Sequence, residues 1–134
     1  MEYYTDSDHV GDRRLGTRSH SAFIALLNSI PVHWRSRKQP KTVMSPAHAE
    51  IYALSEGVKE ARYLQWILAD MGVELPWPIV VKVDNTQVIS FCNSTCLDSK
   101  LKGMIDNRDN WVKELKNDGL VRVEYVNTRL NHAD

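Results

Sequence analysis

The sequence predicts a single α/β domain in which a mixed five-stranded sheet is flanked by helices. Three observations predict it: strand-forming stretches crowd the N-terminal third, one long amphipathic helix follows them, and a nearly continuous apolar strand comes after that helix. The 134 residues suffice for a real core, and 43% hydrophobic with 25% charged residues is ordinary globular composition. We therefore expect one domain over residues 1–134.

The N-terminal third predicts three strands. Glu2–Asp8 begins with good strand formers, Ala22–Leu27 is short and apolar, and Val32–Ser36 follows the turn chemistry of Asn28–Pro31. The second and third stretches are expected to pair as a hairpin. Within the third, Trp34 is either a packed strand residue or a stacking platform for bases.

A long helix is predicted from Ser45 to about Ala69. Ser45 is a good N-cap, and Pro46 occupies the first helical position, where a missing N–H costs nothing. Apolar residues then recur at steps of three and four along one face. Glu50 falls on that face, where a carboxylate is costly unless another group compensates it. A carboxylate on the surface needs no compensating group, whereas Glu50 does. The question is therefore which group lies next to it.

The C-terminal half alternates between strands and helices. The predicted elements are a buried strand at Ile79–Val83, a helical stretch from Thr86 to about Phe91, a more polar helix within Asp98–Asn117, a strand at Val121–Tyr125 and a helix start at Asn131–Asp134, where Asn131 is the candidate N-cap. Helical crossovers make the later strands parallel to the first, whereas the hairpin supplies antiparallel partners. The predicted sheet is therefore mixed.

Four carboxylates are expected to converge at one edge of this sheet. Asp6 and Asp84 end neighbouring parallel strands, and open α/β sheets bind ligands at that edge. Glu50 and Asp134 can approach the same place. Such a cluster cannot stay fully ionised without a cation, and oxygen ligands suit Mg²⁺ or Mn²⁺. The chemistry that fits is two-metal hydrolysis of phosphodiesters. Taken singly, Asp6 also fits a turn, and Asp84 fits a helix cap.

Composition limits the other classes of function. The net charge is zero, yet seven arginine and lysine residues lie between Arg13 and Lys41, a stretch that either tracks phosphates or forms a solvated loop face. Cys92 and Cys96 are too few for a disulfide framework and are expected to be buried free thiols. No apolar run approaches the roughly 20 residues of a membrane span, and no secretory signal opens the chain.

Ordered sequence blocks run along essentially the whole chain. They are Tyr4–Asp8 with Gly11 and Asp12, Val32–Gln39, Thr42 with Val43, Ser45–Glu56, Val83–Gln87, and Glu124–Thr128 with His132–Asp134. Together they resemble the ribonuclease H domain of copia-type retrotransposon polyproteins. This resemblance implies the ribonuclease H fold, with sheet order 3-2-1-4-5 and the first strand central.

The resemblance also implies an activity, namely hydrolysis of the RNA strand of RNA/DNA hybrids during retrotransposon reverse transcription. The four implied catalytic and metal-binding acids are Asp6, Glu50, Asp84 and Asp134, which would hold two Mg²⁺ ions or, as substitutes, Mn²⁺. Asp8 is the alternative to Asp6, although the Tyr-x-Asp position favours Asp6. The implied partners are the hybrid and an adjoining reverse transcriptase domain, with no membrane, in the cytoplasm within virus-like particles.

Further residues are candidates for substrate contact. Ser45, His48, Asn85 and Gln87 flank the acids and would reach 2′-hydroxyls, and Arg35, Arg37 and Lys38 would hold DNA-strand phosphates. Two other hypotheses stay open: a catalytically weak or inactive module kept for binding or structure, and a different nuclease or integrase with the same fold. Because the family continues its last helix past the position of Asp134, the domain is expected to be truncated there.

Overall fold

The elements of the chain follow the predicted order. A computed structural model describes residues 1–9, 18–40, 42–43, 45–94 and 107–134. Its elements are β1 (Glu2–Asp8), β2 (His20–Leu27), β3 (Ile30–Lys38), α1 (Pro46–Asp70), β4 (Ile79–Val83), α2 (Thr86–Asn93), α3 (Asn107–Asn117) and β5 (Val121–Tyr125), followed by a short 3₁₀ helix at Thr128–Leu130. The predicted turn at Gly11 and Asp12, the second cysteine Cys96, the basic residues Arg13, Arg14 and Lys41, and positions 98–106 of the predicted polar helix lie outside the described residues.

The sheet has the order β3-β2-β1-β4-β5, so the first strand is central, as predicted. Strand β1 pairs antiparallel with β2 and parallel with β4, and β4 pairs parallel with β5. In the parallel pair at the centre, Tyr3 lies opposite Val81 and Tyr4 lies opposite Lys82. This register fixes which residues emerge together at the carboxyl ends of β1 and β4.

The hairpin between β2 and β3 is longer than predicted. Its turn consists of Asn28 and Ser29 alone, with φ angles of 50° and 65°, and Ile30 and Pro31 already belong to β3. Two central residues with positive φ are what a type I′ two-residue hairpin turn requires, because its twist matches that of the flanking strands.

Trp34 is 68% exposed, so the expectation of a packed strand residue is wrong.

Helix α1 packs closely on the centre of the sheet. Ser45 caps it by accepting a hydrogen bond from the backbone N–H of His48 at 3.2 Å, as the sequence predicts. Gly57 faces β1 so closely that a Cβ atom at this position would lie 2.1 Å from Cγ2 of Thr5. The missing side chain therefore sets the distance between the helix and the strand. Leu54 and Val58, on either side of Gly57, are fully buried in the core.

Two smaller expectations concern membranes and thiols. Among the described residues, no helix has the length and apolar character needed to cross a lipid bilayer. Cys92 is a buried free thiol, as expected, and burial raises its pKa to about 11, with Lys116 and Lys113 opposing the shift. A thiol with so high a pKa carries little of the reactive thiolate at neutral pH.

Candidate functional site

Three of the predicted acids come together at the carboxyl end of the central strands. Asp6 lies in β1 two residues beyond Tyr4, Asp84 follows β4 two residues beyond Lys82, and Glu50 reaches them from the second turn of α1. One carboxylate oxygen from each of Asp6, Glu50 and Asp84 lies within 4.8 Å of the other two. Residues remote in sequence thus form one compact set of oxygen donors.

Glu50 is buried at this cluster, with 8% of its surface exposed. Burial raises its pKa to about 7; nearby Ser7 opposes the shift, while the negative charges of Asp6 and Asp84 add to it. Its Oε2 atom is enclosed and has no hydrogen-bond partner among the described residues. A buried carboxylate oxygen without a donor is costly, and a bound cation would remove that cost.

Asp6 is half-buried and has a similar electrostatic environment. Burial raises its pKa to about 6, and the charge of Asp84 contributes in the same direction. The backbone N–H of Ser7 donates to its Oδ1 at 2.8 Å and opposes the shift, whereas Asp134 raises the pKa further. The carboxyls therefore repel one another and favour a shared proton or a cation.

Asp6, Glu50 and Asp84 line an open depression, the acid cleft, which Asp134 also lines without belonging to the three-acid cluster. Asp134 is exposed, and both its charge and a side-chain hydrogen bond between the two carboxyls raise the pKa of Asp6. Its position depends on Asn131, whose side-chain amide donates to the backbone oxygen of Thr5 at 3.1 Å. The Asn131 Oδ1 also accepts from the N–H of Ala133 at 3.1 Å, but it stabilises a turn there instead of the predicted helix start. Residues 131–134 form a turn at this point.

The donor set fits divalent magnesium or manganese. Carboxylate oxygens are the ligands that these hard cations prefer, and the three acids offer no nitrogen or sulfur donor. The unpartnered buried oxygen of Glu50 is an independent sign, because a proton or a cation has to satisfy it.

Other residues of the cleft were missed by the sequence analysis. His20, Ser36 and Thr128 line it together with the acids and with Asp8, the residue considered as the alternative to Asp6. Ser36 is brought there by strand register, since Ala22 of β2 pairs with both Ser36 and Asp6. A register of this kind can be read from a sequence only when the hairpin turn is placed correctly, and the predicted turn was too long.

Gln39 is a further residue near the acids that the sequence analysis did not single out. It follows β3, is 1% exposed, and its side-chain amide donates to the backbone oxygen of Ala49 at 3.0 Å and to Oγ of Ser21 at 2.8 Å. Gln39 therefore ties the start of α1, next to Glu50, to the sheet. A polar residue in a predicted connector carries no sequence signal of burial.

The seven predicted substrate contacts occupy different environments. Ser45 and Asn85 cap helices, because their side chains accept from the N–H groups of His48 and Gln87. His48 and Asn85 are half-buried and Gln87 is exposed, and all of these residues flank the acids in the chain.

The three predicted phosphate contacts differ more sharply. Arg37 and Lys38 are exposed at the end of β3. Arg35 instead forms an ion pair with Glu60 of α1, which also bonds His33 at 3.0 Å. Arg35 is thus engaged within the protein.

No family model matches the chain. Its full length is 27% identical over 135 residues to the retrovirus-related Pol polyprotein from transposon RE1 of Arabidopsis thaliana, of which it covers 9%. It is 28% identical over 134 residues to the corresponding polyprotein from transposon TNT 1-94 of Nicotiana tabacum, of which it covers 10%. The chain thus spans about a tenth of the length of these relatives.

Among solved structures, the crystal structure of LC11-RNase H1 in complex with an RNA/DNA hybrid superposes with a TM-score of 0.66. The match covers 97% of this chain and 87% of that chain. Because the two sequences are only 12% identical, the match shows a shared fold and nothing further. The chain therefore has the ribonuclease H fold, and in sequence it is a relative of the Pol polyproteins of copia-type retrotransposons.

Proposed function

We propose that the protein is a metal-dependent endonuclease that hydrolyses the RNA strand of RNA/DNA hybrids during retrotransposon reverse transcription. The observation that carries this proposal is the cluster of Asp6, Glu50 and Asp84, with one oxygen of each inside 4.8 Å and a buried Oε2 on Glu50 that lacks a partner. The fold and the polyprotein relatives support the same reaction class.

In this proposal four carboxylates hold the metal. Asp6, Glu50, Asp84 and Asp134 would bind two Mg²⁺ ions, which when bound activate a water molecule and stabilise the leaving oxygen. Ser7 orients Asp6 through its N–H, and Asn131 keeps the segment of Asp134 against β1. The products would be a 5′-phosphate and a 3′-hydroxyl.

Strand choice would come from contacts to sugars and phosphates, because the minor groove of a hybrid displays 2′-hydroxyls. Ser45 and Asn85 use their oxygens as helix caps, which leaves the hydroxyl and amide donors for such contacts. Arg37 and Lys38 are the exposed cations suited to phosphates of the DNA strand. His48 and Gln87 are further candidates beside the acids.

An RNA/DNA hybrid is the proposed substrate partner, in keeping with the ligand named for LC11-RNase H1. An adjoining reverse transcriptase domain is the proposed protein partner, since the relatives are Pol polyproteins about ten times longer than this chain. The corresponding location is the cytoplasm, within virus-like particles.

A catalytically weak module is the second candidate. The observation in its favour is that Asp134 is exposed and lies outside the three-acid cluster, so one of the four proposed ligands is not gathered with the other three. Such a module would bind hybrid without cleaving it.

Cleavage of a 5′-labelled RNA/DNA hybrid with and without Mg²⁺ separates the two candidates. We expect metal-dependent cleavage by the wild type and a loss of at least about 100-fold in Asp84→Asn and Glu50→Gln. Asp8→Asn is the matched control, because Asp8 lines the same cleft outside the three-acid cluster, and it should retain activity. Hybrid binding without cleavage by the wild type would favour the module and contradict the enzyme.

A further inference from the structure

A second surface, remote from the acids, combines aromatic rings with cations. On the outer side of α1, Arg62 and Tyr63 lie three and four residues after Lys59 and four and three residues before Trp66, which places all four on a single face. Trp111 of α3 borders them. These five residues define the α1 groove, and together with Arg35 and Glu60 they line an open depression with a volume of about 420 Å³.

The rings of the α1 groove are available to a ligand. Tyr63 is 58% exposed and Trp66 is 61% exposed, so part of each ring faces solvent. The guanidinium of Arg62 lies over two indoles, 5.5 Å from the centroid of Trp66 and 5.6 Å from that of Trp111. The cation therefore holds both rings in place through cation–π contacts.

The charge of the α1 groove is positive. Arg62 and Lys59 contribute two cations, and the bordering carboxylate of Glu60 is already paired with Arg35 and His33. Lys59 is exposed and makes no ion pair among the described residues. Aromatic faces combined with an excess of cations complement a ligand that has flat rings and negative charge.

The α1 groove is also separate from the acid cleft. Trp66 lies sixteen residues after Glu50 on the same helix, which corresponds to about 24 Å along the helix axis. None of the residues of the α1 groove belongs to the three-acid cluster. Binding there would not need a metal.

We propose that the α1 groove binds single-stranded nucleic acid, stacking unpaired bases on Trp66 and Tyr63 and pairing phosphates with Lys59 and Arg62. Unpaired bases offer both faces of their rings, whereas those of a duplex are stacked inside the helix, so the groove discriminates in favour of single strands. The proposal does not rest on nuclease activity, because neither stacking nor phosphate contact involves the acids.

The test is the affinity of the full chain for a fluorescein-labelled 12-nucleotide single-stranded DNA, measured by anisotropy in EDTA. Without metal, the carboxylates of the acid cleft repel phosphates, so binding reports other surfaces. We expect Trp66→Ala to weaken binding at least about fivefold. Changing both Lys59 and Arg62 to alanine should reduce the slope of log affinity against log salt by about 1.4, from two phosphates at 0.7 each.

Two control variants match these changes elsewhere on the surface. Met71→Ala removes a side chain that is 72% exposed at the end of the same helix, and Arg122→Ala removes an exposed cation on β5. Both should bind the DNA as the wild type does, and circular dichroism should show all variants folded. Lys59→Glu gives a second test on an exposed side chain and should also weaken binding.

The proposal is overturned if the wild type does not bind the oligonucleotide, if Trp66→Ala binds it unchanged, or if the controls lose as much affinity as the groove variants. Equal affinity for a blunt DNA duplex of the same length would also overturn it. If the wild type does not bind either nucleic acid, the exposed rings of the α1 groove fit a protein surface better than a nucleic acid.

Discussion

Asp6 and Asp84 occupy equivalent positions on two neighbouring parallel strands. The pairing between β1 and β4 ends at Tyr4 and Lys82, and each aspartate lies two residues beyond the end of this pairing along the chain. Their carboxyls therefore emerge side by side at the same edge of the sheet, and Glu50 completes the cluster from the helix above. This geometry makes several properties of the protein measurable.

Metal binding should stabilise the fold through the three-acid cluster. A ligand at about 100 times its dissociation constant adds about 2.7 kcal/mol to the free energy of unfolding, so we expect saturating Mg²⁺ or Mn²⁺ to raise the melting temperature by about 5–10 °C. Differential scanning fluorimetry measures this shift. Glu50→Gln and Asp84→Asn should abolish most of it, whereas Asp8→Asn should keep it. An equal shift in all three variants would mean that the metal binds elsewhere.

The metal-free protein should lose stability as the pH rises. Burial, with the neighbouring charges, raises the pKa of Glu50 to about 7 and that of Asp6 to about 6, so the folded state binds protons more tightly than the unfolded state. The resulting stabilisation is fully present near pH 4 and is lost as the pH passes through 6 and 7. We expect the melting temperature in EDTA to fall by about 5 °C or more between pH 5 and pH 8.

Glu50→Gln should flatten this pH profile, because the amide does not titrate. Glu74→Gln, on an exposed position of the connector between α1 and β4, is the control and should leave the profile unchanged. Saturating Mg²⁺ should also flatten the profile for the wild type. A melting temperature that rises from pH 5 to pH 8 in EDTA would contradict the assigned environment of the acids.

Gly57→Ala should destabilise the domain by about 1–3 kcal/mol, because the new methyl group would meet Cγ2 of Thr5 at 2.1 Å and force α1 away from β1. Urea unfolding measures the loss. Thr5→Ser removes the opposing methyl and should recover part of it in the double variant. Gly119→Ala is the control: its φ of 72° makes alanine costly, but nothing lies within 4 Å, so Thr5→Ser should not rescue it. Simple additivity of Gly57→Ala and Thr5→Ser would refute a direct clash.

Gln39→Leu should lower both stability and cleavage. It keeps the volume of the side chain but leaves the backbone oxygen of Ala49 and the hydroxyl of Ser21 without their buried donor, at a cost of about 1–3 kcal/mol. Because Ala49 precedes Glu50, we expect the rate of hybrid cleavage at saturating Mg²⁺ to fall as well. Gln87→Leu, on an exposed position, should not change the melting temperature. Unchanged stability in Gln39→Leu would show that this anchor is dispensable.

The three basic residues of β3 should differ in what their replacement changes: the binding of hybrid for Arg37 and Lys38, and the stability of the fold for Arg35. Arg37→Ala and Lys38→Ala should leave the melting temperature unchanged, raise the KM for hybrid, and reduce the salt slope of binding by up to about 0.9 each, since both are exposed. Arg35→Ala should lower the melting temperature, because it leaves the largely buried Glu60 with His33 alone. An Arg35→Ala variant that is fully stable but binds hybrid poorly would assign Arg35 to the substrate.

Local patterns of the sequence were sufficient to predict the helices and strands and their order along the chain. The spacing of apolar residues, the cap formed by Ser45 and Pro46, and the apolar run of β4 act over a few residues, so α1 and the strands were predicted nearly where they lie. The sheet order followed from the family resemblance and is confirmed. The hairpin turn was predicted too long because Pro31 is a residue type typical of turns, although the backbone reverses at Asn28 and Ser29 alone.

By itself, the sequence determined that Glu50 sits on the apolar face of a helix and that Asp6 and Asp84 belong to adjacent strands. Only the tertiary structure decided that one oxygen of each lies within 4.8 Å of the others and that Arg35 is paired with Glu60. It also decided that Trp66 and Trp111 enclose Arg62. The physical reason is range: helix and strand patterns follow from contacts a few residues apart. The distances between carboxylates and the exposure of rings depend instead on how the whole of α1, held close by Gly57, packs on the sheet.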